Sequence, residues 1–338
     1  MSNKFLSTTS AFLLSTSMLV ADVPKVTVDI APVHSLVSKV MNGVSKPDLI
    51  IPAGASPHEY QLKPSNAQSL EDADIVFWIG EDLTPWLEKG LSSLAQDASI
   101  TSLLGVDGIE LLSFREGALF EAHDHDDHDD HDDHDDHDDH DDHGKKKHDD
   151  HDDHDDHDDH DDHEGHAHGE YDPHAWLSPQ IAKVWLNVIA AKLSEMDPDN
   201  AAKYFSNAKS ARDNVDSLVS EVNSILDPMR EKKFVVFHDA YQYFEKDFGI
   251  SASGAISLGD ASDPSPARLA VIRKRVVDEA VECVLAEPQY KQGLVKAVVE
   301  GTNANTAVID PLGAKLEPGP NLYENLIRNL ATNLAKCF

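Results

Sequence analysis

Short apolar runs alternate along most of this chain with longer segments of helical periodicity, and this alternation limits the fold more than any other feature. Segment 178–196 shows the helical signals, since Ser178 stands at an N-cap position and Pro179 at the first helical position. Six runs rich in Val, Ile and Phe are typical of strands: 25–31, 48–52, 74–80, 233–238, 281–287 and 306–310. Such alternation predicts parallel βαβ units and therefore an α/β fold.

One predicted helix is much longer than the others. Between Pro198 and Pro228, apolar residues recur at spacings of four and three. This pattern predicts one amphipathic helix of about 29 residues, or about 43 Å at 1.5 Å per residue. Its apolar positions are Tyr204, Ala208, Ala211, Val215, Leu218, Val222 and Ile225. A helix of this length between two βαβ blocks predicts a stiff connection between two lobes, which we place at 22–196 and 228–338, with the connecting helix at 197–227.

A histidine and aspartate repeat interrupts the first predicted lobe at residues 123–168. The segment repeats Asp-Asp-His and carries 16 of the chain's 20 histidines and 24 acidic residues against three lysines. Because it has no apolar face and strong like-charge repulsion, the sequence predicts disorder there. The net charge of −34 argues against nucleic acid and anionic lipid as partners and favours cations.

The first 21 residues have the composition of a secretory signal. One cation, Lys4, precedes a short apolar region that ends at the small residue Ala21. The apolar run is too short to span a bilayer, and no cysteine near the start offers a lipid attachment point. We therefore expect cleavage near Ala21 and a soluble periplasmic protein.

The chain contains two cysteines, Cys283 and Cys337. An even cysteine count in an exported protein is typical of disulfide bonding, because the compartment is oxidising. We expect one disulfide that ties the C-terminus to the predicted strand 281–287.

Histidines outside the repeat stand where a parallel sheet binds its ligands, beyond the carboxyl ends of strands. His58 follows one predicted strand, His238 ends another, and His174 lies in the turn before the helix that Ser178 caps. Asp310 and Glu287 also end predicted strands. Three imidazoles and a carboxylate suit tetrahedral Zn²⁺, whereas Mn²⁺ and Ca²⁺ prefer more oxygen. The spacing forms no compact motif, so a capping or core role for each histidine stays open.

Five longer stretches carry a resemblance to a known family. They are "IPAGASPHEYQLKPSNAQSLEDADIVFWIGEDLTPWL", "YDPHAWLSPQIAKVWLNVIAAKL", "FVVFHDAYQYFEKDFGI", "LAEPQY" and "VIDPLG". Together they resemble the periplasmic zinc-binding subunit of the bacterial high-affinity zinc uptake ABC transporter, in the metal-binding cluster of solute-binding proteins. The acidic, histidine-rich insertion before "DPHAW" and the cysteine pair are similar to that family as well.

The resemblance implies a ligand set. His58, His174 and His238 match the three zinc ligands of the family, and manganese-binding relatives carry a carboxylate where His238 stands. The fourth position is open: Asp310 matches an aspartate that manganese-type relatives use, while Glu59 or water are the other choices. Some relatives place a glutamate directly before the first histidine, where this chain has Pro57.

The resemblance also implies a fold and partners. It implies two α/β lobes joined by a rigid helix, and a monomer without enzymatic activity that delivers Zn²⁺ to an inner-membrane ABC permease. His34 follows the first predicted strand, and we assign it a helix-capping role or a supporting contact behind the ligands.

For the insertion we propose weak zinc binding that collects or senses zinc close to His174. Neutral imidazole is a good zinc ligand at neutral pH, and the aspartates raise the local cation concentration. Its histidines are His123, His125, His128, His131, His134, His137, His140, His143, His148, His151, His154, His157, His160, His163, His166 and His168. The alternative is a tolerated repeat expansion that keeps the protein soluble.

Three other functions compete with zinc uptake. A zinc hydrolase needs an open coordination position and a general base, for which Glu59 or Glu287 is available. In a periplasmic zinc buffer or store, the insertion would be the functional zinc-binding segment and the lobes would support it. A manganese uptake protein would have the same fold with a different ligand set.

Overall fold

The computed structural model describes residues 23–115, 120, 169, 171–257 and 264–338, which form two parallel four-stranded sheets flanked by helices. The strands are β1 Val26–Val28, β2 Asp48–Leu49, β3 Ile75–Trp78, β4 Ser99–Ser102, β5 Phe234–His238, β6 Ala255–Ser257, β7 Cys283–Ala286 and β8 Asn305–Val308. The helices are α1 Ala31–Val40, α2 Pro64–Glu71, α3 Pro85–Leu94, α4 Pro179–Met196, α5 Ala201–Leu226, α6 Gln242–Phe248, α7 Pro266–Asp278, α8 Gln292–Val299 and α9 Leu322–Ala335. The predicted signal, 1–21, and the insertion, 123–168, lie outside the described residues.

The two sheets have matching strand orders, β2-β1-β3-β4 and β6-β5-β7-β8, and every pairing is parallel. The central strands β1, β3, β5 and β7 are buried along their whole length, as parallel strands covered by helices on both faces must be. The α/β prediction is therefore confirmed.

The strand prediction located six of the eight strands of the described residues and missed β4 and β6. β4 has the sequence Ser-Ile-Thr-Ser, and its only large apolar residue, Ile100, is 41% exposed at the edge of the sheet. An edge strand with so little to bury shows no apolar run. β6, Ala255–Ser257, has one large apolar residue, Ile256, and follows the small residues 251–254, so it shows no apolar run either.

The predicted long helix is present as α5, with 26 residues between the 3₁₀ turns Pro198–Asn200 and Asp227–Met229. Six of its seven predicted apolar positions are buried, but the last one is wrong, because Leu226 is buried and Ile225 is only half-buried. α5 packs against α1, α4 and α9.

A single hydrophobic core runs from the first sheet through α5 to the second sheet, and it includes Phe77, Leu218 and Phe234. A smaller cluster, which includes Val235 and Ile272, covers the other face of the second sheet. The two sheets are thus packed through a common helix layer. The lobe boundaries at 196/197 and 227/228 stay a prediction.

The expected disulfide joins Cys283 in β7 to Cys337, two residues after the end of α9, with Cα atoms 5.8 Å apart. It fastens the chain terminus to a central strand of the second sheet, so this prediction is confirmed.

Within the part of the chain that the structure describes, no helix has both the length and the apolar character needed to cross a membrane.

Candidate metal site

Three of the predicted site histidines reach one narrow cavity from separate elements. His58 lies in the loop that follows β2, His174 directly precedes the 3₁₀ turn Ala175–Leu177, and His238 is the last residue of β5. The cavity is lined by Ser56, Pro57, His58, His174, Trp176, His238, Glu287, Gln289, Tyr290, Pro311 and Leu312. The chain thus brings side chains from both sheet units, the first built on β1 to β4 and the second on β5 to β8, to one point beyond the strand ends. Parallel sheets bind their ligands at such points.

The imidazoles of His174 and His238 approach each other most closely. Their Nε2 atoms are 3.4 Å apart, and the ring planes are inclined at 65°. Two nitrogens that each lie about 2.0 to 2.1 Å from one tetrahedral zinc ion are separated by about 3.3 to 3.4 Å. The two atoms therefore already have the spacing of neighbouring ligands of a shared ion.

A buried carboxylate lies behind each of these two rings. Asp172 Oδ1 is 2.7 Å from His174 Nδ1, and Glu287 Oε1 is 2.7 Å from His238 Nδ1. A carboxylate that accepts from Nδ1–H fixes the tautomer in which the Nε2 lone pair faces the cavity. Each carboxylate thus orients its ring so that the two Nε2 atoms meet in the cavity.

The sequence predicts a site role for Glu287 but not for Asp172. Glu287 is a candidate fourth ligand or general base there, whereas in the structure its carboxylate supports His238. Asp172 is missed, although the Asp-Pro-His spacing lets Asp172 Oδ1 accept from the His174 backbone N–H at 2.9 Å as well as from its ring. Burial raises the pKa of Asp172 to about 6.

His58 is the outer member of the three. Its ring centroid lies 5.7 Å from that of His174, and the residue is half-buried on its loop. Within the described ranges, no three or more His, Cys, Asp or Glu side chains already form a group arranged to hold a metal ion. The His174–His238 pair is therefore the preorganised part of the site.

Asp310 and Glu59, the other two carboxylates considered for the fourth position, do not line the described cavity. Asp310 Oδ1 accepts from the backbone N–H groups of Leu312 and Gly313 at 3.0 and 2.9 Å, and Oδ2 accepts from that of Ala314 at 2.6 Å. This carboxylate therefore secures the turn that closes one side of the cavity. Glu59 is exposed on the His58 loop.

His34 lies away from these rings. It is buried in the first turn of α1, where its Nε2 is 3.1 Å from the carbonyl oxygen of Pro47. Burial lowers its pKa from the ordinary value. Its contact is with the connection between α1 and β2, so neither a helix cap nor a contact behind the ligands is observed.

Aromatic side chains wall the cavity. The Trp176 ring centroid lies 5.1 Å from that of His174, and the Tyr290 centroid lies 5.5 Å from that of His238. Trp176 Nε1–H also donates to the carbonyl of Pro311 at 2.8 Å, which joins the two sides of the cavity. An apolar wall lowers the local dielectric, so interactions with a bound cation are stronger there than in water.

Two parallel α/β units joined by a long helix, with buried imidazoles where their strand ends meet, define a solute-binding protein of the metal-binding type. The ZnuA family model, described as zinc-uptake complex component A, periplasmic, matches residues 26–337. The chain belongs to the ZnuA family.

The relatives in sequence are similar over almost their whole length. The chain is 48% identical to the high-affinity zinc uptake system protein ZnuA of Brucella abortus (strain 2308), over 97% of this chain and 96% of that protein. It is 45% identical to the protein of the same description from Paracoccus denitrificans (strain Pd 1222), over 94% and 92%. The family places the chain among periplasmic transport proteins rather than enzymes, with metal ions and a membrane permease as partners.

Solved structures share the fold. A crystal structure of ZnuA superimposes with a TM-score of 0.70 at 20% identity and covers 94% of this chain and 99% of its own. The solute-binding protein FpvC from Pseudomonas aeruginosa in complex with Mn²⁺ has a TM-score of 0.70 at 17% identity, with coverage of 94% and 98%. At these identities the likeness concerns the fold.

Proposed function

We propose that this protein captures Zn²⁺ in the periplasm on His58, His174 and His238 and delivers it, as cargo, to an inner-membrane ABC permease for import. The observation that carries the proposal is the 3.4 Å approach of His174 Nε2 to His238 Nε2, with a carboxylate behind each ring. The full-length similarity to proteins described as high-affinity zinc uptake components supports the choice of ion.

The origin of the ligands links ion binding to the arrangement of the two sheet units. His174 precedes α4, which packs against α5 and against α1 of the first unit, and His238 ends a strand of the second. An ion that both nitrogens bind therefore holds the two units together. In our proposal His58 turns on its loop to complete a three-imidazole set, and the protein acts as a monomer with lobes 22–196 and 228–338.

We favour zinc over manganese because of the donor atoms. Three imidazoles suit Zn²⁺, whereas Mn²⁺ prefers carboxylate and other oxygen ligands. Asp310, the aspartate expected in a manganese-type site, already accepts three backbone hydrogen bonds. We therefore assign the fourth zinc position to water. Competition between Zn²⁺ and Mn²⁺ for the purified protein tests the manganese alternative.

For the insertion we keep the proposal of a low-affinity zinc collector or sensor. Its C-terminal end leads through Tyr171 and Asp172 directly into His174, so ions held there would lie next to the cavity. Uptake at limiting zinc by cells that express the chain without 123–168 tests this role, and uptake equal to that of the full chain contradicts it.

The decisive experiment on the site uses the chain without 123–168, because the insertion supplies competing imidazoles. We expect one tightly held zinc ion per chain and nitrogen coordination in zinc-edge X-ray absorption. His174→Ala and His238→Ala should each lose tight retention, whereas His34→Gln, which alters a buried histidine outside the cavity, should keep it. Tight retention by both alanine variants would refute the proposal, and a chain that holds zinc only through the insertion would be a buffer or store.

A further inference from the structure

The two ends of the insertion converge on the first turn of α6, the helix that follows His238. Ser113, on the N-terminal side, and Tyr171, on the C-terminal side, form an isolated antiparallel bridge. Gln242 Nε2 donates to the Ser113 carbonyl at 3.0 Å and to Asp172 Oδ2 at 3.2 Å. The base of the insertion, residues 112–115 and 171–172, is therefore bound to an element of the second sheet unit.

A tyrosine on the same turn reinforces this attachment. Tyr243 Oη accepts from the Leu112 backbone N–H at 3.0 Å and donates to the Asp172 carbonyl at 2.9 Å. One side chain of α6 thus bonds both sides of the insertion's base at once.

Arg115 makes charge-assisted hydrogen bonds in this region. Its guanidinium donates from Nε to both carboxylate oxygens of Asp239 at 3.0 Å, with a further short contact from Nη2, and from Nη1 to Glu245 Oε2 at 2.8 Å. The ring centroid of Phe120 lies 3.7 Å from the guanidinium carbon. The guanidinium is thus bound by two carboxylates and lies over an aromatic ring.

The two carboxylates depend on this cation because they are buried. The side chains of Asp239 and Glu245 are each 5% exposed, and that of Arg115 is 16% exposed. Arg268 does not replace it, since its described donors go to the carbonyls of Ile256 and Ala255. Without the guanidinium, two buried like charges would face each other, and one of them belongs to the residue next to His238.

We propose that Arg115 is a positioning residue that locks the base of the insertion to the strand end carrying His238 and thereby sets how fast zinc leaves the site. This inference rests on the proposed function. Arg115 follows β4 of the first sheet unit, whereas Asp239 and Glu245 belong to the second. The lock therefore joins the two units beside the cavity, where separation of His174 from His238 would release the ion.

The test compares zinc release from the full chain and three variants. Zinc-loaded protein is mixed with excess chelator, and the release rate is followed for wild type, Arg115→Gln, Arg115→Lys and Lys39→Gln. We expect Arg115→Gln to release zinc about tenfold faster or more, as for other residues that orient metal ligands. Arg115→Lys should be intermediate, because an ammonium keeps the charge without the fork.

Lys39→Gln is the matched control. Lys39 pairs with Glu324 at 2.6 Å, and these side chains are 11% and 13% exposed, so this ion pair is also largely buried. It joins α1 to α9 and does not line the described cavity. We expect Lys39→Gln to lower thermal stability while releasing zinc at the wild-type rate.

A spectroscopic readout separates positioning from general stability. With Co²⁺ in place of zinc, Arg115→Gln should change the visible absorption bands, whereas Lys39→Gln should leave them as in wild type. Wild-type release and spectra for Arg115→Gln would overturn the inference. If Arg115→Gln does not fold, Arg115→Lys is the test variant. Zinc release from Arg115→Lys at the wild-type rate would then overturn the inference. If wild type itself does not hold zinc tightly, or if His238→Ala still does, the proposed function is refuted instead.

Discussion

Trp86 donates its indole Nε1–H to the carbonyl oxygen of Pro57 at 2.7 Å, directly beside His58. The Tyr60 ring packs against the same indole, with centroids 5.8 Å apart. The loop that presents the outermost imidazole of the candidate site is therefore braced on both sides of His58 by the first turn of α3. This contact therefore helps to hold the His58 loop in place.

Replacing Trp86 should weaken zinc binding. Trp86→Phe keeps an aromatic ring but removes the donor to Pro57, so the His58 loop becomes less ordered. We expect zinc affinity to fall about tenfold, as for other contacts that orient a ligand. Competition with a chromophoric chelator measures it.

Trp185→Phe supplies the control for this change. Trp185 donates its own Nε1–H to the carbonyl of Leu103 at 2.9 Å and is fully buried. It should lose stability and keep wild-type zinc affinity. Equal affinities for the two variants would show that Trp86 does not hold His58 in place.

Glu287→Gln should reduce zinc affinity by about 10- to 100-fold. The carboxylate that accepts from His238 Nδ1 makes that imidazole a better donor at Nε2, and a neutral amide does so less well. Asp172→Asn should act in the same way through His174. Isothermal titration with zinc, on the chain without 123–168, measures both.

A buried carboxylate elsewhere provides the comparison. Asp197 is 2% exposed and accepts from the Tyr204 hydroxyl at 2.8 Å. Asp197→Asn should be less stable but should bind zinc as wild type does. If Glu287→Gln binds zinc as tightly as Asp197→Asn, the carboxylate behind His238 has no part in metal binding.

The sequence predicted the fold class and the neighbourhood of the site because both depend on patterns along the chain. Because β1, β3, β5 and β7 are buried on both faces, they appear in the sequence as apolar runs. Histidines that follow parallel strands lie at the same edge of a sheet, so their neighbourhood was predictable as well. β4 and β6 were missed because each has one large apolar residue, Ile100 or Ile256, and therefore shows no apolar run. At the end of α5 the buried stripe moved from Ile225 to Leu226, since spacings of three and four fit the stripe equally well.

The supporting residues of the site were harder to predict. The role of Glu287 depends on where its side chain points relative to His238, 49 positions away, and periodicity carries no such information. The same holds for Arg115, which lies between β4 and the insertion and contacts partners more than 120 positions away. Asp172 alone had a local signal, in its spacing of two residues from His174.

Asp310→Asn separates a ligand from a loop anchor. The amide keeps one acceptor but replaces the other oxygen, so at least one of the bonds to Leu312, Gly313 and Ala314 is lost. We expect the free energy of unfolding to fall by about 1 to 3 kcal/mol, with a small change in zinc affinity. Urea unfolding and zinc titration test the two parts. Loss of tight binding with unchanged stability would make Asp310 a zinc ligand instead.

Removing the disulfide should lower stability without removing zinc binding. Cys283 and Cys337 are 54 positions apart, and the chain-entropy relation assigns closure of such a loop about 4 kcal/mol. The Cys283→Ala/Cys337→Ala double variant should therefore melt at a clearly lower temperature in calorimetry. Its zinc affinity should stay at the wild-type level, because neither cysteine lines the described cavity. An unchanged melting temperature would contradict the expected contribution.

Asp29 should make the stability of the zinc-free protein depend on pH. It is fully buried at the end of β1, where its carboxylate accepts from the backbone N–H groups of Ile30 and Ile79, each at 2.7 Å. Burial raises the pKa of Asp29 from 3.8 to about 7. Because the folded state then binds the proton more tightly than the unfolded state, stability should fall as pH rises between these two values and level off above the higher one.

Substitution isolates this contribution from those of other groups. The slope from one such carboxyl is at most about 1.4 kcal/mol per pH unit. We expect the difference in free energy of unfolding between wild type and Asp29→Asn to change by up to about 1.4 kcal/mol for each pH unit below about pH 7. The change favours the variant at higher pH. Urea unfolding from about pH 5 to about pH 8 measures it, with Asp97→Asn, at an exposed position, as the control variant. A constant difference between wild type and Asp29→Asn would mean that Asp29 is ionised in the folded protein throughout, with its two backbone donors outweighing the cost of burial.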